Sequence, residues 1–383
     1  METRKLYYED SHQRQFSATV LSCTQTAKGW EVILDATCFY PEGGGQACDL
    51  GTLGSANVLD VQERGEAVVH LCDAALAVGS DVEGNIDWAR RFDLMQQHSG
   101  EHILSGLIHA KFGYHNVGFH IGNTVMEVDF DGPITPEELA QLERQANEAI
   151  WQDFPVQCDF PAEDVLPTIP YRSKKALDYP VRIVTFPGYD ICACCGVHVK
   201  HTGQVGIIKV LSCVKFHQGV RLQMVCGDRA YTYLSQIFEQ NRQVSQLFSA
   251  KMPETFEAAK RFSQQLADEK FRATGLQKRL LDFLAAGYKG AGNVLHFEED
   301  LAPNQVRELC DAISKVCTGT AAVLSGSDDT GYSLCLMGPG AKEKGTAMTQ
   351  ALGGRGGGKP EAFQGSLQAT KAQIESFWTA SCI

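Results

Sequence analysis

Long apolar runs are missing from this 383-residue sequence: no window approaches the roughly 18 uninterrupted apolar positions of a membrane-crossing helix. The opening METRKLYYEDSHQRQ likewise lacks the apolar core of a secretory leader, so a cytoplasmic protein without membrane attachment is expected. Positive charge is also in short supply. Against 46 acidic side chains stand 34 Lys and Arg, a net charge of −12 that argues against a chain coating nucleic acid nonspecifically. Any RNA contact has to be local. The basic clusters available for it are Arg90 and Arg91; Arg172, Lys174 and Lys175; and Lys342, Lys344, Arg355 and Lys359, each of which also reads as ordinary solvated charge.

Cysteine, by contrast, is plentiful. Fourteen are scattered from Cys23 to Cys382, and the dense group is Cys192, Cys194 and Cys195. A disulfide framework belongs to small secreted chains, so in a cytosolic protein this group points to metal or thiol chemistry. The other eleven read as buried fillers or inert surface thiols.

The length calls for two or three domains, and the patterning predicts an α+β protein. Residues 1–88 alternate short β-branched runs with turns, as in Ala18 to Thr24 and Trp30 to Asp35 about Lys28-Gly29, and predict a small β-barrel. Residues 89–229 read as an α+β domain. Its first helix spans Asp93 to about Phe112, a second starts at the capping box Thr135-Pro136-Glu137-Glu138, and strands follow at Val181 to Phe186, Val205 to Leu211 and Val220 to Cys226. Residues 230–287 predict a long helical arm with Phe256, Ala259, Phe262, Leu266, Ala273, Leu276, Leu280 and Leu284 on one side. Residues 288–383 predict a small C-terminal α/β domain in which short strands and helices precede the glycine-rich GGRGGGKP, Gly353 to Pro360.

Within the second domain, HSGEH sets His98 and His102 four residues apart, on one face of a helix, close enough to share an ion. About ninety residues on, CCGVH supplies Cys194 and His198 around a glycine. Three nitrogens and one sulfur suit a single zinc ion better than magnesium or calcium. Cys192 and Cys195 are rival thiolates that spacing alone does not exclude. Ser99 follows His98 where a zinc protease carries its glutamate base, and Glu101 lies at another helical azimuth, so protease chemistry is not expected. FYPEGGGQ has neither the lysine nor the strand-to-helix setting of a phosphate-binding loop.

Three segments in order, FYPEGGGQACDLG (Phe39 to Gly51), RRFDLMQQHSGEHIL (Arg90 to Leu104) and CCGVHVKHTGQVGIIKV (Cys194 to Val210), resemble the AlaX alanyl-tRNA editing proteins and the editing domain of alanyl-tRNA synthetase. GVRLQMVCGDRA is similar to the strand that follows in that family, and GGRGGGKPEAFQGS to the synthetase's C-terminal DHHA1 domain, so the chain resembles the long, free-standing AlaX form. The resemblance implies zinc-dependent deacylation of tRNA(Ala) wrongly carrying serine or glycine, with no activation of amino acids. Under it, His98, His102, Cys194 and His198 hold the metal. Gln97, Gly118, His120 and Thr124 are candidates to line the amino-acid pocket, and Arg355 and Lys359 to meet tRNA phosphates beside bare glycine amides. The partners implied are the tRNA(Ala) acceptor stem and a second copy, joined through the C-terminal arm and domain. Two departures stand out: CCGVHV replaces the usual CGGTHV, placing Cys195 and Val197 between ligands, and Gly118 stands where a small hydroxyl residue is expected. The alternative is a noncatalytic protein that binds tRNA or a synthetase and uses the four ligands only to brace its fold.

Overall fold

A computed structural model describes residues 2–173, 177 and 179–381. Of the basic cluster at 172–175 only Arg172 is among them; Lys174 and Lys175, like Cys382, lie outside the described residues. The fold is mixed α+β and divides into two compact units, Met1–Gln243 and Val244–Ile383.

In the first unit a short strand β1 (Arg4–Lys5) and a one-turn helix α1 (Leu6–Glu9) precede strands β2 (Gln15–Thr26), β3 (Gly29–Leu34), β4 (Ala36–Thr37), β5 (Gly51–Leu53), β6 (Ala56–Arg64), β7 (Ala67–Cys72) and β8 (Asp81–Ile86). Six of these pair antiparallel in the order β2-β3-β7-β6-β5-β8, and β8 returns to β2, so the strands expected over residues 1–88 close into a ring. Alternate residues turn inward, and Phe16, Val20, Val32, Leu34, Val61 and Val68 pack with Phe39 in its interior. His70 sits there too, wholly buried.

Helix α2 (Trp88–Phe112) follows at once, capped by the Asp87 side chain, which accepts from the Arg90 amide. Arg91 on its first turn is buried and fork-bonded to Asp49, with Nε donating to Oδ1 at 2.8 Å, and it also donates to the Cys38 carbonyl at 2.6 Å. Of the basic pair Arg90 and Arg91, the second is therefore a structural tie between helix and ring. Strands β9 (Asn116–Ile121) and β10 (Met126–Phe130) come next, then helix α3 (Pro136–Trp151), which starts at the anticipated capping box of Thr135 and Glu138. Strands β11 (Gln157–Asp159), β12 (Ile183–Phe186) and β13 (Asp190–Ala193) form a three-stranded antiparallel sheet. Strands β14 (Ile208–Phe216) and β15 (Gly219–Cys226) join β10 and β9 in a four-stranded sheet of order β14-β15-β10-β9. β14 begins later than its apolar run because Thr202–Val205 winds into a 3₁₀ turn ended by Gly206 at φ 82°. The core joins Leu94, Ile103 and Leu104 of α2, Leu142 and Ala146 of α3, and Met126, Leu222 and Met224 of the sheet.

The helical arm expected over 230–287 consists of two helices, α4 (Gly227–Leu247) and α5 (Thr255–Ala286). The break carries Ser249 at φ 50° and Pro253 within a 3₁₀ turn, neither compatible with an uninterrupted α-helix. On α5, Ala258, Leu281 and Ala285 are buried, whereas Phe256, Phe262, Leu266, Leu276 and Leu280 of the foreseen stripe are exposed.

The rest of the second unit comprises β16 (Val294–Phe297), α6 (Pro303–Ser314), β17 (Ala321–Ser327), β18 (Gly331–Met337), α7 (Ala341–Ala351), β19 (Gly354–Lys359), β20 (Ala362–Leu367) and α8 (Lys371–Ser381). The sheet order is β16-β17-β18-β20-β19, with β16 and β17 parallel across α6 and the other pairs antiparallel. Ala321 and Val323 face one core with Leu281 and Leu309, and Ala322 and Leu324 the other with Met348 and Ile374, so both faces of the sheet are covered. Most of the glycine-rich segment GGRGGGKP forms the edge strand β19. Among the described residues no helix is long and apolar enough to cross a membrane.

Candidate functional site

The i, i+4 spacing puts His98 and His102 on one face of α2, and the turn after β13 brings Cys194 and His198 to them. One ligand atom from each of the four lies within 4.8 Å of all the others, and all three imidazoles are buried. The Cys194 Sγ is 3.5 Å from Nε2 of His98 and 3.5 Å from Nε2 of His198.

The outer nitrogen of every ring is already engaged. His98 Nδ1 meets Gln46 Oε1 at 2.8 Å, His102 Nδ1 meets Asp190 Oδ2 at 2.8 Å, and His198 Nδ1 meets Ser99 Oγ at 3.1 Å. The Gln46 and Asp190 oxygens only accept, so they fix the tautomers of His98 and His102 and leave Nε2 as the inward electron-pair donor, while Ser99 holds the angle of the His198 ring. Asp190 is in turn gripped by the Arg172 fork at 2.7 and 2.8 Å. Arg182 pins the ligand turn by donating to the carbonyls of Cys194 at 2.9 Å and Gly196 at 2.7 Å, while the Tyr8 hydroxyl donates to the Cys195 carbonyl at 3.1 Å. Gly196 has to be glycine, since a Cβ there would lie 2.2 Å from His98 Cε1.

Electrostatics single out one sulfur. Burial on its own raises the Cys194 thiol, but the imidazoles of His98 and His102 outweigh it and hold the thiol well below its ordinary value. Burial pushes the neighbouring Cys192 up to about 11 and also raises Cys195. His102 sits well above the ordinary imidazole value, because Cys194 and Asp190 overcome its burial; burial and then His98 drive His198 down to about 3. Cys194 is thus the sulfur poised as a thiolate, and these residues could hold a metal ion that prefers nitrogen and sulfur. Cys192 joins a second, overlapping group with His102 and Asp190.

The other residues singled out in the sequence fall elsewhere. Gln97 is buried, and its amide bonds both ways to the Cys226 backbone, at 2.9 and 2.8 Å, tying α2 to β15. Gly118 and His120 flank Phe119, whose ring lies 5.0 Å from that of His98; strand alternation therefore turns them to the opposite sheet face, across from Asp129 and Glu127. Thr124 is exposed in the turn between β9 and β10. Arg355 and Lys359 are exposed on β19 in the second unit. Lys344 of the same basic cluster is spent locally on Asn293 Oδ1 at 3.0 Å and Thr320 Oγ1 at 2.8 Å.

Sequence reasoning missed Gln46, Ser99, Arg172, Arg182 and Asp190. The one available hint was position: Gln46 ends the glycine run, and Asp190 precedes Cys194 by four residues. Beside the metal ligands the described residues His115, Asn116, Val117, Arg172, Ser173 and Cys192 line a pocket of about 330 Å³.

Residues 3–90 match the family of class II (A) tRNA synthetases, and residues 181–222, which include Cys194 and His198, match the threonyl and alanyl tRNA synthetase second additional domain. An alanine–tRNA ligase of Ignicoccus hospitalis is 30% identical over 93% of this chain and 40% of its own length; one of Pyrobaculum arsenaticum is 34% identical over 80% and 37%. The chain thus spans about two fifths of the length of the ligases it matches. The alanyl-tRNA editing protein Aarsd1 of Mus musculus is 28% identical over 97% of this chain and 96% of its own. Among solved structures, the C-Ala domain from Aquifex aeolicus alanyl-tRNA synthetase matches 24% of this chain at 20% identity with a TM-score of 0.21, too slight a likeness to bear on the fold. Along nearly its whole length the chain is similar in sequence to the alanyl-tRNA editing proteins.

Proposed function

We propose that this chain is a zinc-dependent deacylase that acts in trans on tRNA(Ala) wrongly charged with serine, and also with glycine, in the cytoplasm. The observation that carries the reading is the buried tetrad of His98, His102, Cys194 and His198, with the outer nitrogen of every imidazole already engaged. Its Sγ to Nε2 spacing of 3.5 Å is close to the roughly 3.6 Å edge of a tetrahedral zinc site with ordinary bond lengths. Zinc bound there would supply Lewis-acid polarisation or water activation.

The residues of the chain itself supply position. An aminoacyl ester is already activated, so the site has to hold the ester, orient a water and stabilise the developing oxyanion. Arg172, Asp190 and Gln46 keep the imidazole rings rigid, and rigidity is what such orientation requires. Serine is larger than alanine, so it is selected through a hydrogen bond to its hydroxyl rather than by exclusion. In this reading residues 1–88 carry the glycine motif, 89–229 perform editing, and the arm at 230–287 and the DHHA1-like segment at 288–383 engage the tRNA and a second copy. The exposed Phe256, Phe262, Leu266, Leu276 and Leu280 on α5 support a homodimer, and the exposed Arg355 and Lys359 a contact with RNA phosphates.

A second reading is favoured by the four protein ligands themselves, which close a tetrahedral site as structural zinc sites do: a binding protein braced by metal. Deacylation of seryl-, glycyl- and alanyl-tRNA(Ala) by the native chain, His102→Ala and Cys194→Ala separates the two. Fast loss of serine with alanine spared, abolished in both variants, supports the hydrolase; intact esters with a folded, zinc-loaded native chain leave the binding protein.

A further inference from the structure

One groove of the first unit lies outside the metal site, between α2, the segment at 170–173 and the turn that joins β12 to β13. It encloses about 690 Å³, and Gly106 lets the turn seat against the helix: a Cβ there would stand 2.2 Å from the Tyr189 carbonyl oxygen. Among the described residues the one carboxylate on its wall is Asp190, already held by the Arg172 fork and by His102. On a chain of net charge −12, a groove with no free carboxylate suits an anion. Two of its groups have bonding capacity to spare. Arg172 spends Nε and Nη2 on Asp190, and its Nη1 has no hydrogen-bond partner among the described residues. His109 Nδ1 donates to the Tyr114 carbonyl at 3.0 Å, which in the neutral ring leaves Nε2 as an acceptor, again without a partner among the described residues. The ring of the exposed His115 is centred 5.2 Å from that of His109. His115, Arg172 and Ser173 also line the pocket of about 330 Å³ beside the metal ligands, so groove and pocket share a wall.

Resting on the deacylase reading above, we infer that this groove seats the single-stranded nucleotides that precede the terminal adenosine of the tRNA, with a phosphate on Arg172 Nη1 and the His115 ring, and a ribose 2′-hydroxyl donating to His109 Nε2. An ester hydrolysed beside the metal ligands puts the 3′ end of the strand in the smaller pocket, and the shared wall leads the preceding nucleotides into the larger groove. A phosphate contact sets the register of the strand without reading its bases, and the 2′-hydroxyl is the group that marks the strand as RNA. Tyr171 and Tyr189 on the same walls offer aromatic surface to the bases.

The test compares two esters, seryl-tRNA(Ala) and 3′-O-seryl-adenosine, the second of which carries no preceding nucleotide; zinc content and melting temperature are measured for every variant. His109→Phe, which keeps a ring without an acceptor, and His115→Ala are each expected to lower the ratio of kcat/KM on the tRNA to kcat/KM on seryl-adenosine by about tenfold, through KM for the tRNA. His109→Gln, which keeps an acceptor, is expected to recover a substantial part of that ratio. A single 2′-deoxy substitution at one of the two nucleotides before the terminal adenosine should cost the native chain about tenfold and cost His109→Phe nothing further. Should His109→Phe fail to fold, His115→Ala, at an exposed position, gives the same reading of the ratio. Unchanged ratios overturn the inference, and so do an equal loss on both esters and a 2′-deoxy penalty of the same size in the native chain and His109→Phe. If the native chain cleaves no ester, the deacylase reading fails, while fluorescence anisotropy of a short RNA ending in nonhydrolysable 3′-seryl-amido-adenosine, on native chain and variants, still decides whether the groove holds the strand.

Discussion

Gln46 and His98 lie 52 residues apart in the chain, yet the Gln46 Oε1 accepts from His98 Nδ1 at 2.8 Å in a wholly buried contact. The glycine-rich segment therefore reaches the metal ligands through its last residue, and its role is to orient an imidazole rather than to cradle a phosphate. Removing such an outer partner typically weakens metal binding about 10–100-fold. Gln46→Ala is expected to lose zinc to a chromophoric chelator at a correspondingly lower chelator concentration, whereas Gln46→Glu, which keeps the acceptor, should hold the metal close to the native level. Equal retention by native and Gln46→Ala would show that the contact is incidental.

Gly196 gives a sharper test of the same geometry. A Cβ added there would stand 2.2 Å from His98 Cε1 and 2.4 Å from Nδ1. Gly196→Ala must push the ring or the turn aside, at a cost of roughly 1–3 kcal/mol. The expected result is a variant that folds but binds zinc weakly, measured by metal content after gel filtration. Full zinc occupancy would mean that the ligand turn is looser than the hydrogen bonds of Arg182 suggest.

His70 links stability to pH. It is buried inside the strand ring, where Nδ1 donates to the Val32 carbonyl at 3.1 Å and Nε2 accepts from the Thr37 hydroxyl at 2.8 Å, and burial lowers its pKa from 6.5 to about 4. The folded state holds it neutral, whereas the unfolded chain takes up a proton below about pH 6.5, so stability is complete above that value and falls as the pH drops toward 4. The loss should reach about 3 kcal/mol at the lower end. Denaturant midpoints between pH 7 and pH 4 should fall more steeply for the native chain than for His70→Gln, and parallel curves would remove His70 as the cause.

The reach of the sequence had a physical limit. Periodicity places His98 and His102 on one helical face, and the Thr135 box starts α3 where expected, because both patterns are local. Gln46, Asp190 and Arg172 could not be found this way, since each acts across a tertiary contact that exists only once the ring, α2 and β13 are assembled. Alternation along β9 sends Phe119 toward His98 and Gly118 and His120 away from it, a distinction that turns on strand phase. The α5 stripe was legible as a pattern, but the chain has nothing that covers Phe256 or Leu276 among its described residues. GGRGGGK reads as a loop by composition, yet hydrogen bonding to β20 makes it a strand.

That last difference can be tested glycine by glycine. In β19, a Cβ at Gly354, Gly356 or Gly358 would stand 2.2, 2.5 or 2.0 Å from a carbonyl oxygen of β20, whereas one at Gly357 meets nothing within 4 Å. A strand therefore predicts an alternating response: Gly356→Ala and Gly358→Ala should each cost roughly 1–3 kcal/mol, and Gly357→Ala should stay within about 0.5 kcal/mol. Denaturant melts of the full chain give the comparison. A flexible loop would tolerate all three alike, which would also free the glycine amides for phosphate. With the alternation present, Arg355 and Lys359 project from the open face that they share with Gly357, and any anion must be met by those side chains rather than by a backbone cradle.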